Sequence, residues 1–298
     1  MTQVLVNSLV YGSEIAVIAL GVSLSFSILR FANFAHIQLA VVGGYLTYLL
    51  AQPLGMPLVP AALVSIVLTG ALAVLIDHVV FRHLRDASPE GKMIASWGVA
   101  LFIRSIVAAV FGGSAVVFDV ETELIRAGGA LFTTLDVIVV AVTAASMVVL
   151  HALLQWTRAG TALRALASNF DLAVTRGIPG ERMIRLMWFL SGAYAALGGT
   201  LLAIATQLTP NMDLMILLPV FAAVTVGGLG SVFGAVAGAL LLSLAQNALI
   251  AIDFGSLVAS AAWYLPSQFR DYVAVSALVL VLLIRPRGLA GRQQKGAT

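Results

Sequence analysis

Long apolar runs broken by short polar or proline-marked gaps dominate this chain. The runs cover Val4–Leu29, Ile37–Ala51, Leu58–Phe81, Met93–Phe111, Thr133–Gln155, Ile184–Thr206, Leu214–Val226, Val232–Ile252 and Tyr272–Ile284. A hydrocarbon layer about 30 Å thick needs roughly 20 apolar residues per helix, and only helices or closed barrels satisfy their backbones there. The unbroken runs lack the alternation of a barrel strand. The pattern therefore predicts an all-α, polytopic membrane protein. The second, seventh and ninth runs are short, so eight or nine helices cross. Pro53, Pro57, Pro60, Pro210 and Pro266 fall in or beside the breaks, where the backbone turns.

Composition agrees. Hydrophobic residues make up 61% and charged residues 10%, against about 45–50% apolar in soluble domains; mean hydropathy is +1.05. The first basic residue is Arg30, too late for the positive n-region of a signal peptide, so the first run is expected to stay in the membrane. With no cysteine, disulfides, thiolate metal sites and cysteine nucleophiles are excluded.

The placement of charge says more than the net value of +3. Arg82, Arg85 and Lys92 fall in one break, Arg158, Arg164, Arg176, Arg182 and Arg185 in another, and Arg285, Arg287, Arg292 and Lys295 near the C-terminus. Basic loops stay cytoplasmic. The opposite breaks carry Asp119, Glu121, Glu123 and Asp213. Nine spans then put the N-terminus outside and the C-terminus inside. Residues 1–298 read as a single transmembrane domain, with a cytoplasmic segment over 157–185 and a cytoplasmic tail over 286–298. Four spans on either side of a central one run in opposite senses, which fits an inverted repeat.

Three features carry candidate function. In the 157–185 island, Leu163, Leu166, Ala167, Phe170 and Val174 recur at helical spacing, with Arg164, Asn169 and Asp171 off that stripe. Such a helix either docks into a partner's groove or rests on the membrane surface or on the underside of its own bundle. The second is Gly227-Gly228-Leu229-Gly230-Ser231 with Gly234 and Gly238, which reads as close helix packing or as a turn or gate. The third is a pair of intramembrane charges. Glu14 and Arg104 lie at depths of about 15 and 12 Å from the outer side, close enough in level to meet as a structural pair or to line a polar path. In the turn after the first span, Asn33 and His36 read as caps of the second helix or as cavity lining. A lone histidine is no metal site.

Several chemistries are missing. Gly91-Lys92 is followed by Met93, and Asp86 stands where a phosphate loop needs its first glycine, so nucleotide hydrolysis by that route is excluded. Neither H-E-x-x-H nor G-x-S-x-G occurs.

Three stretches together resemble the permease subunits of branched-chain amino acid ABC transporters over almost the whole chain, and more closely the shorter of the two unlike permeases. They are Asn33-Phe34-Ala35-His36 with Gly43-Gly44-Tyr45; Thr157, Gly160, Arg164, Ala165, Ala173, Gly177 and Ile178 with Phe189 and Gly198-Gly199; and Phe221 through Gly227–Ser231, Gly234-Ala235 and Arg285-Pro286-Arg287-Gly288-Leu289. Ile37 stands at an expected glycine, Asp213 where glycine is frequent and Pro219 where lysine is common, all near predicted turns.

The resemblance implies a non-enzymatic permease in a bacterial inner membrane. It implies a second, different permease chain, two ATPase subunits and a periplasmic or lipid-anchored solute-binding protein, with lipid around it and no nucleic acid. ATP and magnesium would be bound by the ATPases and no cofactor by this chain. Gly160, Leu163, Arg164, Ala165, Leu166, Phe170 and Gly177 would form the ATPase-coupling segment, with Arg164 orienting the contact and Leu163, Leu166 and Phe170 anchoring it. Glu14, Asn33, His36, Arg104, Gly227, Gly228, Gly230 and Ser231 would belong to the path or gate. Branched-chain or similar small amino acids are the first choice of solute; urea, short amides and other small organic solutes are the alternative implied by relatives. A proton-coupled carrier using Glu14 is a different class of reading.

Overall fold

The computed structural model describes residues 1–120, 122–254, 263–266, 269–285 and 288–289. Among these, the helices are α1 (Thr2–Leu29), α2 (Ala35–Ala51), α3 (Leu58–Val79), α4 (Pro89–Phe111), α5 (Thr134–Trp156), α6 (Arg158–Ser168), α7 (Phe170–Thr175), α8 (Gly180–Ala205), α9 (Met212–Gly227), α10 (Val232–Ala251) and α11 (Arg270–Ile284). Six are long and apolar enough to span a bilayer, namely α1, α3, α4, α5, α8 and α10. The three shorter apolar helices fall at α2, α9 and α11, on the short runs read from the sequence.

Helix ends follow local chemistry. Ser88 caps α4 by accepting from Gly91 N–H, with Pro89 in its first turn. This starts α4 four residues before the apolar run. Thr133 and Asp136 form a reciprocal capping box on α5. Leu58–Phe81, read as one run, ends as a helix at Val79 and continues as a 3-10 turn over Phe81–Leu84. Pro219 lies inside α9, not at a turn. Two strands, β1 (Leu124–Ala127) and β2 (Ala130–Thr133), pair antiparallel. Gly128 and Gly129 both have positive φ, 58° and 77°, as a tight two-residue hairpin requires. The Gln3 amide holds this hairpin on the start of α1 by bonding both Leu131 C=O and Leu131 N–H, at 2.9 and 2.8 Å.

The core centres on α1, α2 and α8. Every residue from Gly12 to Ser25 of α1 and from Ala35 to Tyr45 of α2 is buried. α2 packs mainly on α8 and α3, α1 on α10 and α8, and α9 on α10 and α11. α4 and α5 are peripheral and turn Phe102, Val110, Val148 and Val149 outward. The basic residues Arg30, Arg82, Arg85, Lys92 and Arg164 gather towards the end of the bundle where α1 stops and α2, α4 and α8 begin, called the basic end below.

Association of apolar helices gains nothing over their contact with lipid, so it rests on close packing and on polar bonds. Both occur between α2 and α8. A Cβ on Gly199 would sit 1.8 Å from the Ala40 carbonyl oxygen, and one on Gly43 would sit 2.3 Å from Ala196 Cα. The backbones therefore touch. Thr47 and Thr200 hydroxyls bond across the contact at 2.8 Å, and Ser65 donates to the Gly43 carbonyl at 2.7 Å.

Gly199→Ala is expected to lower stability by about 1–3 kcal/mol through overpacking. Gly98→Ala, with open space at its Cβ, is expected to be neutral or to gain about 0.5–1 kcal/mol. Thermal unfolding midpoints of the two purified variants in detergent, against the parent chain, check the contrast.

Candidate functional site

At the basic end, α5 turns into α6 at Thr157, whose hydroxyl accepts from Gly160 N–H at 2.9 Å. Gly160 lies flat on the last turn of α5; a Cβ there would come within 2.1 Å of the Leu153 carbonyl oxygen. Leu163 and Leu166 are buried, and α6 packs on α5, α8 and α1. These two leucines anchor α6 to its own bundle, which corrects their assignment to a partner. The apolar stripe faces the nearest apolar surface available, and that surface is the protein itself.

The island is not one helix. Asn169 ends α6 and caps α7, its Oδ1 accepting from Leu172 N–H at 3.0 Å. The break re-aims the stripe. Phe170, Leu172 and Val174 of α7 are 41%, 54% and 42% exposed. Gly177, at φ 89°, ends α7, and its N–H bonds the Val174 carbonyl at 2.9 Å. Beyond it lies an open groove of about 520 Å³, lined by Phe170, Val174, Ile178, Glu181, Arg182 and Arg185. Arg164 is exposed on α6 and donates to Gln155 Oε1 at 2.8 Å; Ala165 beside it is half-buried.

Further basic-end contacts tie this surface to the bundle. The guanidinium of Arg30, in the left-handed cap of α1, donates to the Ala167 carbonyl at the end of α6. Arg30 thus does more than satisfy charge placement; it fills an orphan carbonyl and complements the helix dipole. Arg85 Nη2 donates to both oxygens of buried Asp77 at 3.0 and 2.9 Å and lies 3.8 Å from Glu181 of α8. Lys92 donates to the Arg85 carbonyl at 2.7 Å. Phe31, Phe81 and Trp188 stack beside this cluster, with centroids 5.5 and 5.0 Å apart. The signal in the sequence was an aspartate in the last turn of an apolar run with an arginine eight residues on.

The glycine cluster forms the α9–α10 turn. Gly227 ends α9 against the Gly234 carbonyl, where a Cβ would sit at 1.9 Å. Gly228 and Gly230 take φ of 106° and 82°, and Ser231 caps α10 by accepting from Gly234 N–H at 3.1 Å. Leu289 N–H returns to the Val226 carbonyl at 2.9 Å, joining the segment after α11 to this turn. Arg287, Arg292 and Lys295 of the expected basic tail lie outside the described residues, as does Glu121.

Neither Asn33 nor His36 caps α2, whose start at Phe34 has no side-chain cap. His36 Nε2 donates to the Ile18 carbonyl at 3.1 Å, and Nδ1 meets the Ser191 hydroxyl at 2.9 Å. It therefore ties α2 to α1 and α8 as a buried polar pin. Asn33 is buried with neither amide atom partnered, and so is Gln38. Glu14 and Arg104 do not pair. The charges acting on Glu14 are Asp136 and Arg270, on the α5 and α11 side. The Arg104 guanidinium instead meets the Asp213 carboxylate of α9. Helix rise assigns a depth along each helix, but which neighbour a side chain faces comes only from packing. Among the described residues, no three His, Asp or Glu side chains gather as metal ligands would.

Residues 4–284 match the family described as branched-chain amino acid transport system / permease component. The high-affinity branched-chain amino acid transport system permease protein LivH of Escherichia coli (strain K12) is 29% identical over 312 residues, covering 98% of this chain and 96% of that one. The corresponding protein BraD of Pseudomonas aeruginosa is 29% identical over 318 residues, with 98% and 96% covered. A probable branched-chain amino acid transport permease protein LivH of Methanocaldococcus jannaschii is 29% identical over 309 residues, with 97% and 92% covered.

Arg85→Ala leaves the buried Asp77 charge unpaired and is expected to cost about 3–5 kcal/mol, whereas the apolar pair Asp77→Leu/Arg85→Met is expected to be near neutral. Thermal unfolding of both in detergent tests this.

Proposed function

Because the chain belongs to the family of branched-chain amino acid transport system permease components, we propose that it is one permease subunit of an ATP-driven importer of branched-chain or similar small amino acids. A second permease chain would complete the pathway, two ATPase subunits would dock at the basic end, and a solute-binding protein would deliver at the opposite one. All nine apolar helices cross a bacterial inner membrane, with the N-terminus outside and the C-terminus in the cytoplasm. Four spans on each side of α5 make the inverted repeat.

The observation that carries this reading is the α6–α7 surface. α6 is packed through Leu163 and Leu166 and tied by Arg30, so it is rigid with α1, α5 and α8. α7 exposes Phe170, Leu172 and Val174 above a groove edged by Arg182 and Arg185. An apolar patch rimmed by charge is a docking surface, with the patch supplying affinity and the charges orientation. A partner that moves α7 pushes directly on the helices around α2. A nucleotide-dependent partner there would shift the two states of an alternating-access pathway. Arg164 orients the edge of the contact, and Gly160 and Gly177 hold the two short helices in place. His36 and the Gly227–Ser231 turn are the pivots on which the halves close.

Affinity purification of the tagged permease, followed by mass spectrometry, is expected to recover ATPase subunits. Phe170→Asp should reduce their recovery about tenfold, as loss of a hot-spot contact does, while the permease itself is purified in unchanged amount. Arg164→Glu should weaken recovery less. A stable complex with no ATPase, or full recovery with Phe170→Asp, would contradict the reading.

A further inference from the structure

The β1–β2 hairpin has two edges, and only one of them is covered. On β2, Leu131 N–H and C=O are bonded to the Gln3 amide at 2.8 and 2.9 Å, and Thr133 N–H to the Asp136 carboxylate at 2.6 Å. Both residues therefore turn their backbone groups away from β1. In an antiparallel ladder the residues directly opposite them turn away as well. Those residues are Arg126 and Leu124, whose N–H and C=O groups point out along the free edge of β1. Among the described residues, nothing bonds them.

This edge is held in place. Gln3 fastens the hairpin to the start of α1, and at its base Thr134 N–H bonds the Glu123 carbonyl at 3.1 Å. The chain leading into it is fixed by the paired backbone bonds of Val116 and Leu208, 3.0 and 2.9 Å, and by buried Phe118, edge-on to Tyr48 of α2 at 5.6 Å. Alternation along the strands puts Leu124, Arg126 and Leu131 on one face and buried Ala130 on the other. Leu124 is 76% and Leu131 45% exposed. Arg126 is exposed too, and among the described residues it forms no ion pair.

An unpaired edge is a template for a further strand. Its occupant must offer both donors and acceptors at strand spacing, whereas a lipid phosphate offers acceptors alone. A second copy of β1 would bring a second Arg126 within about 8 Å of the first, a repulsive pairing. An extended segment of another protein, with a carboxylate to meet Arg126 and an apolar residue two positions away to meet Leu124, satisfies both the edge and the charge. The hairpin stands away from the basic end, where α1 and α5 start. That is the side on which the proposed importer receives its solute.

We propose that the free edge of β1 docks an extended segment of the solute-binding protein by strand addition, with Arg126 paired to a carboxylate of that segment. The inference rests on the importer reading above and gives its delivery step a place on this chain.

The test uses the complete complex, with its second permease and ATPases, in lipid nanodiscs. It measures the Kd for the purified binding protein that supports ATP-driven uptake by that complex. Leu124→Pro removes the outward N–H and leaves the Ile125–Phe132 and Ala127–Ala130 pairs that hold the hairpin. It is expected to purify with its ATPases and to raise the Kd about tenfold or more, because the added strand loses a hydrogen bond and meets the proline ring. Leu124→Val keeps the N–H and should bind within about twofold of the parent. A Kd unchanged by Leu124→Pro, as when lipid or a second copy covers the edge, overturns the inference. So does an equal loss with Leu124→Val, which would trace the effect to the side chain. If Leu124→Pro does not assemble, Arg126→Glu decides: a raised Kd is expected, and an unchanged one overturns the inference. A parent complex with no measurable binding would sink the delivery reading and this site together, whereas parent binding that neither variant alters would sink the site alone.

Discussion

The contact of α2 with α8 is the constraint on which the rest depends. Within a bilayer, burying an apolar helix among others gains little over leaving it in lipid, so α2 is held by backbone proximity and internal polar bonds. The Gly199 approach to Ala40, the Gly43 approach to Ala196 and the His36 bridge to Ile18 and Ser191 supply both. With α2 fixed at the centre, α1 and α8 become its walls, and α4 can stand off at the periphery.

That arrangement leaves two jobs to two consecutive short helices at one end of the bundle. At the basic end, α6 is fastened to the helices that surround α2, while α7, only six residues long, offers its apolar side to solvent. The Asn169 break makes the division: residues before it bind the chain to itself, and residues after it are free to bind something else. The Asp77–Arg85 cluster holds α3 and α8 together just behind that surface. In the proposed complex, a push on α7 would meet the packed helices α6 and α8.

Much of this was legible in the sequence. Among the described residues the nine apolar runs became apolar helices, six of them long enough to cross a bilayer and three shorter. Ser231 and Thr157 were read in their segments and serve as caps there. The 157–185 island stood out through its arginines, yet periodicity could not tell a stripe facing the chain's own bundle from one facing a partner, so Leu163 and Leu166 were misassigned. The partners of Glu14 and Arg104 were illegible for a related reason. Helix rise gives depth from sequence, but rotation and neighbour order come only from packing, and α9 proved to be the neighbour of α4 through Asp213. The hairpin at Gly128-Gly129 was missed because its strands are only four residues each.

If α7 is the docking surface proposed for an ATPase on the cytoplasmic side, its exposed patch is covered in the assembled complex. The chain has no cysteine, so Leu172→Cys provides a single thiol at the middle of the exposed patch. Labelling it with a membrane-impermeant maleimide in inside-out vesicles, with the ATPase subunits present and then stripped, measures the claim directly. Labelling should be slow in the complex and rapid once the ATPases are removed. Rapid labelling in both, or labelling only in right-side-out vesicles, would contradict it.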